Sequence, residues 1–368
     1  MHIVMTVNAA WNIWNFRRPL VEALIAQGHH VTVLAPHDET VSGLQALGCD
    51  FYPLKINAKG MNPLEGGQLV MRFLHAFRTL RPDVVLSYTI KNNIFGSFAA
   101  RGLGVPFVPN VTGLGTAFLS GSLLQSVAEG FYRRAFRPLK VVFFQNSDDR
   151  DLFVSRGLVT PAQAQLLPGS GIDLVHFKPE PWCGSGEDVT FLMVARLLRD
   201  KGVMEYVDAA RRVRVRCPGV RFQLLGATDA ANRTAISAAT VAGWHEEGVI
   251  EYLGTTSDVR PVIAAAQCVV LPSYREGAPR TLIEAAAMAR PVIATNVPGC
   301  RDVVEDGVTG YLCEVRDADS LAASCERFLA LSIEEKRAMG QRGRVRAEAL
   351  YDQKIVVSAY QRVIGALT

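Results

Sequence analysis

The sequence predicts an α/β protein made of two doubly wound units that follow one another along the chain. Short apolar runs of strand length alternate with amphipathic helical patterns, which is typical of parallel sheets covered by helices on both faces. The alternation stops at Pro168-Gly169-Ser170-Gly171 and resumes after a stretch at 177–186 that contains two prolines and two glycines. A chain of 368 residues, 49% of them hydrophobic, is long enough for two such domains.

The first predicted unit covers residues 1–167. Its strands are expected at short apolar runs, namely His2–Val7, His30–Ala35, Asp83–Tyr88, Val105–Val111 and Val141–Asn146. Its helices are expected where apolar residues recur at the helical period, namely at Asn15–Gln27, Leu64–Leu80, Asn93–Leu103 and Leu123–Pro138. This order predicts parallel strands joined by crossover helices.

The second predicted unit covers residues 168–350 and repeats the pattern. Its strands are expected at Asp188–Val194, Val220–Leu225, Val249–Leu253, Cys268–Leu271 and Pro291–Thr295. Helices are expected between them at Lys201–Arg216, Asp258–Ala266 and Arg280–Ala289. The final portion is expected to be all helical, at Asp317–Leu331, Ile333–Leu350 and Asp352–Leu367.

Composition argues against several classes of protein. No stretch approaches the roughly 18 consecutive apolar residues that a membrane-spanning helix needs. The N-terminus lacks the basic-then-apolar order of a secretory signal. The seven cysteines are scattered and contain no C-x-x-C pair, so neither a disulfide framework nor a zinc site is indicated. We therefore expect a cytoplasmic protein that needs no metal and no cofactor.

The formal net charge of +4 is unevenly distributed. Residues 1–170 carry 15 Lys and Arg against 10 Asp and Glu, whereas the remainder carries 24 against 25. The basic first half favours an anionic partner or surface, although an excess of this size also serves solubility. No nucleic-acid partner is expected.

The most informative segment is 275–284, which reads Arg-Glu-Gly-Ala-Pro-Arg-Thr-Leu-Ile-Glu and runs from a predicted strand into a predicted helix. Pro279 suits a first helical turn, and Gly277 lets the preceding backbone bend tightly. Backbone amides at such a helix start can bind a phosphate. Glu276 and Glu284 would then flank the phosphate and bind hydroxyl groups on each side, as a nucleotide sugar requires. The alternative is that both are solvated acids favoured by the helix dipole.

Glu276 and Glu284 reproduce the E-x7-E motif of the family-four retaining glycosyltransferases, in the form E-G-x-P-x-x-L-x-E-A. The chain resembles this family in three further places, in matching order and spacing. These are Gly169-Ser170-Gly171-Ile172-Asp173 with Phe177-Lys178-Pro179, Val194-Ala195-Arg196 with Lys201-Gly202, and Val297-Pro298-Gly299 with Gly307, Gly310 and Leu312. The resemblance covers essentially the whole chain. It implies the GT-B architecture, two facing Rossmann-like domains with a ligand cleft at their interface, and a helix at 351–368 that packs back on the first domain.

The resemblance also implies a metal-independent enzyme whose donor is a nucleotide-diphosphate sugar, expected to be UDP-linked. Arg196 and Lys201 match the basic pair that holds the diphosphate and stabilises it as it leaves. Glu276 is assigned to the sugar hydroxyls and Glu284 to the ribose. The other expected donor-binding residues are Gly226, Leu253 and Gly254 for the base, and Gly277, Pro279, Arg280, Thr281 and Leu282 at the helix start.

The resemblance assigns the acceptor to the first domain. The segments Y-T-I-K-N-N at 88–93 and N-V-T-G-L-G-T at 110–116 resemble a subgroup that extends sugars on polyprenyl-diphosphate carriers for bacterial surface polysaccharides. Thr112 stands where many relatives have His, which removes the obvious side-chain base. Arg17 and Arg18 either hold an acceptor diphosphate or form an exposed basic edge of a helix. The expected acceptor-binding residues are Asn15, Arg17, Arg18, Lys91, Thr112 and Gly113.

The segment 123–140 combines apolar residues at helical spacing with four cations, Arg133, Arg134, Arg137 and Lys140. This pattern fits a helix that lies on an anionic membrane surface. It also fits a core-facing helix with a basic outer face. The first interpretation predicts a peripheral protein at the inner face of the cell membrane.

Two other patterns are interpreted as structural. Asp149-Arg150-Asp151 has the D-x-D spacing of metal-using glycosyltransferases, but Ser147 is expected to be a helix N-cap with acids in its first turn. His29 and His30 precede a strand without a carboxylate at helical spacing, so they are interpreted as edge residues.

The expected function is transfer of a hexose or N-acetylhexosamine from a nucleotide sugar to a polyprenyl-diphosphate-linked saccharide. Two alternatives stay open because a fold does not determine a function. One is a UDP-sugar epimerase of the same architecture, and the other is a non-catalytic sugar-nucleotide sensor.

Overall fold

The computed structural model of the protein describes residues 1–56, 63–114, 123–182, 189–228, 232 and 234–367. Over these residues the chain forms two compact units. The first combines Met1–Gly171 with Gln353–Thr368, and the second is Ile172–Asp352. The second unit is therefore inserted, in sequence, between the body of the first unit and its last helix.

The first unit contains a parallel sheet. Within the described residues its strands are β1 (His2–Thr6), β2 (His30–Ala35), β3 (Asp50–Pro53), β4 (Val84–Tyr88), β5 (Phe107–Val111), β6 (Val142–Phe144) and β7 (Ala164–Leu166). Their order in the sheet is β3-β2-β1-β4-β5-β6-β7. β1, β4, β5 and β6 are almost wholly buried, which explains why they appear in the sequence as continuous apolar runs.

Helices cover both faces of this sheet. They are α1 (Ala10–Phe16), α2 (Arg18–Ala26), α3 (Val41–Ala46), α4 (Pro63–Leu80), α5 (Ser97–Leu103), α6 (Leu123–Phe136), α7 (Ser147–Ser155) and, at the end of the chain, α15 (Gln353–Leu367). A π-helical turn, Asn92–Gly96, leads into α5. α15 packs against α2 and buries Tyr360 completely in the core of this unit.

Two local expectations in the first unit are corrected. The single helix expected at Asn15–Gln27 is α1 followed by α2, because Arg17 leaves the helical conformation with φ −130° and Pro19 opens α2 without a backbone N–H to continue α1. The N-cap of α7 is Asn146, whose side chain accepts a hydrogen bond from the Asp149 amide, and not Ser147, which is already helical.

The second unit has its own parallel sheet. Within the described residues its strands are β8 (Thr190–Val194), β9 (Arg221–Leu225), β10 (Glu251–Tyr252), β11 (Cys268–Leu271), β12 (Val292–Thr295) and β13 (Gly310–Cys313), in the order β10-β9-β8-β11-β12-β13. The helices are α8 (Val203–Arg216), α9 (Ala238–Glu246), α10 (Arg260–Ala265), α11 (Arg280–Ala287), α12 (Cys300–Val303), α13 (Ala318–Leu329) and α14 (Ile333–Leu350). A 3-10 turn, Arg199–Lys201, precedes α8.

Each sheet has a point at which the strand order reverses. It lies between β1 and β4 in the first unit and between β8 and β11 in the second. Ligands of open α/β sheets bind in the crevice outside the carboxyl ends of the strands at such points. The predicted fold class, two Rossmann-like units with a helical C-terminal segment, is confirmed. Among the described helices, none has both the length and the apolar character that crossing a membrane requires.

Candidate functional site

Two loops of the second unit meet at the carboxyl ends of β8 and β11. The first contains Arg196 and the 3-10 turn that ends at Lys201, and the second contains Glu276. Gly202, directly after the turn, has φ 77°, and a Cβ at this position would collide with the Pro272 carbonyl oxygen. Only glycine therefore allows the two loops to approach this closely.

Lys201 and Glu276 form an ion pair between these loops. Lys201 Nζ lies 2.5 Å from Glu276 Oε1, and the two side chains are 22% and 13% exposed. Because the pair is largely removed from water, salt screens it less than it screens a surface pair. The ammonium expected to bind the diphosphate and the carboxylate expected to bind the sugar are thus in direct contact.

The loop of Glu276 is supported by the segment Val297–Gly299. The Glu276 amide donates a hydrogen bond to the Pro298 carbonyl over 3.2 Å. Gly299 has φ 80°, and a Cβ there would lie 2.6 Å from the Gly277 carbonyl oxygen. A side chain at Gly299 would therefore displace the loop that carries Glu276.

Arg196 is the second residue after the end of β8 at Val194, and its side chain is exposed. Within the described part of the chain, its guanidinium makes no hydrogen bond or ion pair. An exposed guanidinium without a carboxylate partner can accept an anionic ligand at little cost.

Glu284 lies in the first turns of α11 and is only 7% exposed. Burial raises the pKa of its carboxyl group above the usual 4.5, while the neighbouring Arg280 acts in the opposite direction. Arg280 Nε donates to Glu284 Oε1 over 2.7 Å. This carboxylate is thus held in place from within its own helix.

The start of α11 differs in detail from the sequence-based expectation. Pro279 is the N-cap and not part of the first turn, so the helix begins at Arg280. Thr281 Oγ1 donates to the Val194 carbonyl over 3.1 Å and ties α11 to the end of β8. Leu282 is completely buried in the core, so its side chain is not available to a ligand.

The residues expected near a base lie at the ends of β9 and β10. The Gly226 amide donates to the Gly254 carbonyl over 2.8 Å, and Tyr252 Oη donates to the Gly226 carbonyl over 3.0 Å. Leu253 is exposed beside them. A Cβ at Gly226 would collide with the Ala195 carbonyl oxygen, so this position brings the end of β9 against the loop of Arg196.

The structure separates the two arginines expected at the acceptor site. Arg17 is 4% exposed, and its Cζ lies 4.7 Å from the centroid of the Tyr88 ring. Arg18 is exposed, pairs with Glu22 over 2.7 Å and lies over the Trp14 ring. The two side chains therefore have different environments and do not form one basic group.

The other expected acceptor residues follow the carboxyl ends of β4 and β5. Lys91 precedes the π-helical turn after β4, and Thr112 and Gly113 follow β5, with φ 144° at Gly113. β4 and β5 are parallel neighbours, so these residues lie at the same carboxyl-terminal end of the sheet. Asn15, in α1, donates through its side chain to the Trp11 carbonyl. Gly115 and Thr116 of the same motif lie outside the described residues.

The helix expected to lie on a membrane, α6, is core-facing. Tyr132, Ala135 and Phe136 are buried, and the Phe131 ring contacts Phe95, so these side chains of α6 are used within the first unit. The four cations are exposed, and Arg133 donates to the carbonyls of Arg156 and Gly157. Of the two interpretations, the structure supports a helix with a basic outer face.

The two patterns interpreted as structural have clear environments. Asp149 is fully buried against Asn146, whereas Asp151 is exposed and pairs with Arg150. In the described segments of the chain, no three His, Cys, Asp or Glu side chains lie together as metal ligands. His30 does have a carboxylate partner, since its Nε2 lies 2.6 Å from Asp50 Oδ2. Asp50 lies on the neighbouring strand β3, and the spacing in the sequence did not predict this contact.

Two family models match the chain. The model described as "Glycosyl transferase 4-like domain" matches residues 13–169, and the one described as "Glycosyl transferases group 1" matches residues 188–330. A relative from Campylobacter jejuni is 25% identical over 99% of this chain and 98% of its own length. It is named N,N'-diacetylbacillosaminyl-diphospho-undecaprenol alpha-1,3-N-acetylgalactosaminyltransferase.

Other comparisons agree with these matches. An Escherichia coli relative, 27% identical over 65% of this chain and 64% of its own, is named UDP-Gal:alpha-D-GlcNAc-diphosphoundecaprenol alpha-1,3-galactosyltransferase. The structure of Anabaena Alr3699/HepE in complex with UDP-glucose superposes with a TM-score of 0.81 over 100% of both chains at 17% identity. Sucrose-phosphate synthase from Thermosynechococcus elongatus superposes with a TM-score of 0.78 over 100% of both chains at 20% identity.

The fold and the matched models define the protein as a glycosyltransferase of the GT-B type. The chain belongs to the family-four glycosyltransferases, with a 4-like domain at its N-terminus and a group 1 domain after it.

Proposed function

We propose that the protein is a retaining glycosyltransferase that moves a hexose or N-acetylhexosamine from a UDP-linked sugar to a polyprenyl-diphosphate-linked saccharide. The observation that carries this proposal is the contact between Lys201 and Glu276, together with Arg196 in the loop of Lys201, whose guanidinium has no ion-pair partner among the described residues. Two cations and a carboxylate at one sheet edge suit a ligand that carries both phosphates and sugar hydroxyls.

The cations act on the leaving group. When the bond between the anomeric carbon and the diphosphate oxygen breaks, negative charge develops on the diphosphate. Arg196 and Lys201 stabilise that charge without a metal ion, and the amides before α11 add to it. Glu276 orients the sugar hydroxyls, and Glu284 accepts hydrogen bonds from the ribose.

The acceptor hydroxyl reacts on the face from which the diphosphate departs. Its oxygen forms the bond to the anomeric carbon, and its proton goes to a phosphate oxygen of the leaving diphosphate. Thr112 offers no basic side chain for that proton. The configuration at the anomeric carbon is thereby retained.

A lipid-linked acceptor is suggested by the names of the relatives from Campylobacter jejuni and Escherichia coli, both of which mention undecaprenyl-diphosphate-linked substrates. In this chain, Lys91, Thr112 and Gly113 share the sheet edge at which such an acceptor would bind. Because the apolar side chains of α6 are buried in the core, attachment to the anionic inner face of the cell membrane would rest on charge alone, through the exposed cations Arg134, Arg137 and Lys140.

The test is an assay of UDP-GalNAc, UDP-GlcNAc, UDP-Gal and UDP-Glc against lipid-diphosphate saccharides from bacterial membranes. We expect transfer from one of these donors, with an α-linkage in the product by NMR. A β-linked product would contradict retention. Interconversion of sugar nucleotides without an acceptor would identify an epimerase, and binding without turnover would identify a sensor.

A further inference from the structure

Asp200 connects the two loops of the donor site through its backbone. It is the central residue of the 3-10 turn Arg199–Lys201 and is half-buried. Its carbonyl oxygen accepts hydrogen bonds from the Tyr274 amide over 2.9 Å and from Ser273 Oγ over 3.2 Å. Both donors belong to the loop that carries Glu276.

The side chain of Asp200 reaches a third segment. Its Oδ1 accepts a hydrogen bond from Thr234 Oγ1 over 2.5 Å. The Thr234 carbonyl in turn accepts from the Arg199 amide over 2.8 Å. The next residue, Ala235, forms an antiparallel bridge with Leu198. Asp200 is thus the point at which the segments that follow β8, β9 and β11 are joined.

We propose that Asp200 is a positioning residue for the nucleoside-diphosphate part of the donor. Its carboxylate holds Thr234 and so fixes the turn from which Lys201 extends. The inference rests on the proposed function, because it takes Lys201 as a ligand of the diphosphate. Without this hydrogen bond only the backbone contacts and the Ser273 hydroxyl would hold the turn, so part of its ordering would fall to the diphosphate and binding would weaken.

A purely electrostatic role of Asp200 predicts the opposite result. A carboxylate beside Lys201 repels a diphosphate, so its removal as a mere charge would tighten binding. Asp200→Asn separates the two effects, because it removes the charge and keeps an oxygen that accepts from Thr234. Positioning predicts near-normal binding in this variant and weaker binding in Asp200→Ala.

UDP, dTDP, GDP and ADP are first compared for binding to the wild type by calorimetry. The Kd of the nucleotide that binds best is then measured for each variant, together with kcat and the KM for the donor. Asp200→Ala should raise Kd and KM about tenfold and change kcat less than about threefold, since preorganisation acts on binding. Asp200→Asn should stay within about twofold of the wild type, because its oxygen still accepts from Thr234.

Partner variants test the contact itself. Thr234→Val should reproduce the effect of Asp200→Ala. The double variant should bind the nucleotide no more weakly than either single variant, because both substitutions remove the same hydrogen bond between Thr234 Oγ1 and Asp200 Oδ1. Asp208→Ala removes an exposed carboxylate of α8 and should leave Kd unchanged. If Asp200→Ala does not fold, Thr234→Val decides alone.

Unchanged Kd in Asp200→Ala and Thr234→Val, or tighter binding in both Asp200 variants, would overturn the inference. The variant Lys201→Ala distinguishes failure of the inference about Asp200 from failure of the proposed function. If Lys201→Ala loses the nucleotide while the Asp200 variants keep it, only the role of Asp200 is wrong. If the wild type binds none of the four nucleotides, both proposals are overturned.

Discussion

Tyr360 accepts a hydrogen bond from Asn110 Nδ2 over 3.0 Å, although 250 residues separate the two in the sequence. Both side chains are completely buried, and the Tyr360 ring also contacts Phe143. Tyr360 lies on α15 and Asn110 on β5, so this contact binds the last helix to the sheet of the first unit. The stability of the candidate acceptor domain therefore depends on the final residues of the chain.

Replacing Tyr360 by Phe should lower the free energy of unfolding by about 1–3 kcal/mol, because Asn110 Nδ2 stays buried without this acceptor. Tyr360→Ala should cost about 3–5 kcal/mol, since it also leaves a cavity. Urea unfolding followed by circular dichroism measures both. Arg362→Ala, on the exposed face of the same helix, serves as the control. Equal stability of Tyr360→Phe and the wild type would show that the contact is energetically neutral.

Changing Arg196 or Lys201 to Ala should lower kcat by about 10²–10³-fold, as the loss of a group that stabilises developing charge does. Arg199→Ala is the matched control, because it removes an exposed cation from the same loop. Steady-state kinetics with the best donor gives the comparison. Turnover near the wild-type value in either variant would remove that residue from the leaving-group site.

Glu284→Gln should affect stability and nucleotide binding in opposite directions at neutral pH. Because burial raises the pKa of Glu284, its folded form keeps the proton to higher pH than the unfolded chain. Its contribution to stability is greatest below the ordinary value of 4.5 and is lost as the pH rises through the folded value. Gln resembles the protonated acid, so the variant should be more stable than the wild type at pH 7.5 and equally stable at pH 4. It should bind the nucleotide more weakly, because it lacks the carboxylate.

The control for this prediction is Glu335, whose pKa is shifted in the opposite direction. Hydrogen bonds from Ser332 lower the pKa of Glu335, so its contribution is present above the ordinary value and is lost as the pH falls. Glu335→Gln should therefore reduce stability at pH 7.5 and leave nucleotide binding unchanged. Denaturant titrations at the two pH values measure both variants. A pH-independent difference between Glu284→Gln and the wild type would contradict the role of burial.

Gly202→Ala should abolish donor binding, because the added Cβ collides with the Pro272 carbonyl and separates the loops of Lys201 and Glu276. Gly248 is the matched control, since its φ of 74° is nearly the same and no atom lies within 4 Å of an added Cβ. Gly248→Ala should cost only about 1–2 kcal/mol of backbone strain and keep nucleotide affinity. If both variants bind the nucleotide equally well, close approach of the loops is not required.

The triple variant Arg134→Gln, Arg137→Gln, Lys140→Gln should bind anionic vesicles more weakly than the wild type. Each surface cation contributes about 1 kcal/mol near such a membrane. The binding should fall with salt, because the interaction is screened within about 8 Å at physiological ionic strength. A variant that removes three exposed cations of the second unit, Arg212, Arg216 and Arg337, controls for net charge. Equal loss of binding in both would exclude the cations at and after the end of α6 as the docking surface.

The sequence predicts most of the buried strands, with β13 as an exception, and misses the partly exposed edge strands of the first sheet. β8 and β11 are buried apolar runs, so their pattern is unmistakable. β3 and β7 lie at the edges of the first sheet and keep polar, partly exposed residues, so they were not predicted. The break at Arg17 was also missed, because the apolar periodicity continues across it.

The candidate site is predictable in its parts but not in its contacts. Lys201 and Glu276 stand in recognisable motifs, yet nothing in a linear pattern shows that they meet across 75 residues. The same holds for Asp200, whose partner Thr234 lies in a segment without a motif. Leu282 illustrates the reverse, because its position in the motif predicted a ligand contact and its side chain belongs to the core.

The return of α15 to the first unit has a consequence for the order of folding during synthesis. A ribosome releases residues 1–171 first, but the helix that completes their core, Gln353–Leu367, is translated only after the second unit. The second unit, Ile172–Asp352, is continuous and can fold as soon as it has emerged. Until then, the surface of the first unit that packs against Tyr360 is exposed to solvent. The core of the first unit is completed only after the second unit has left the ribosome.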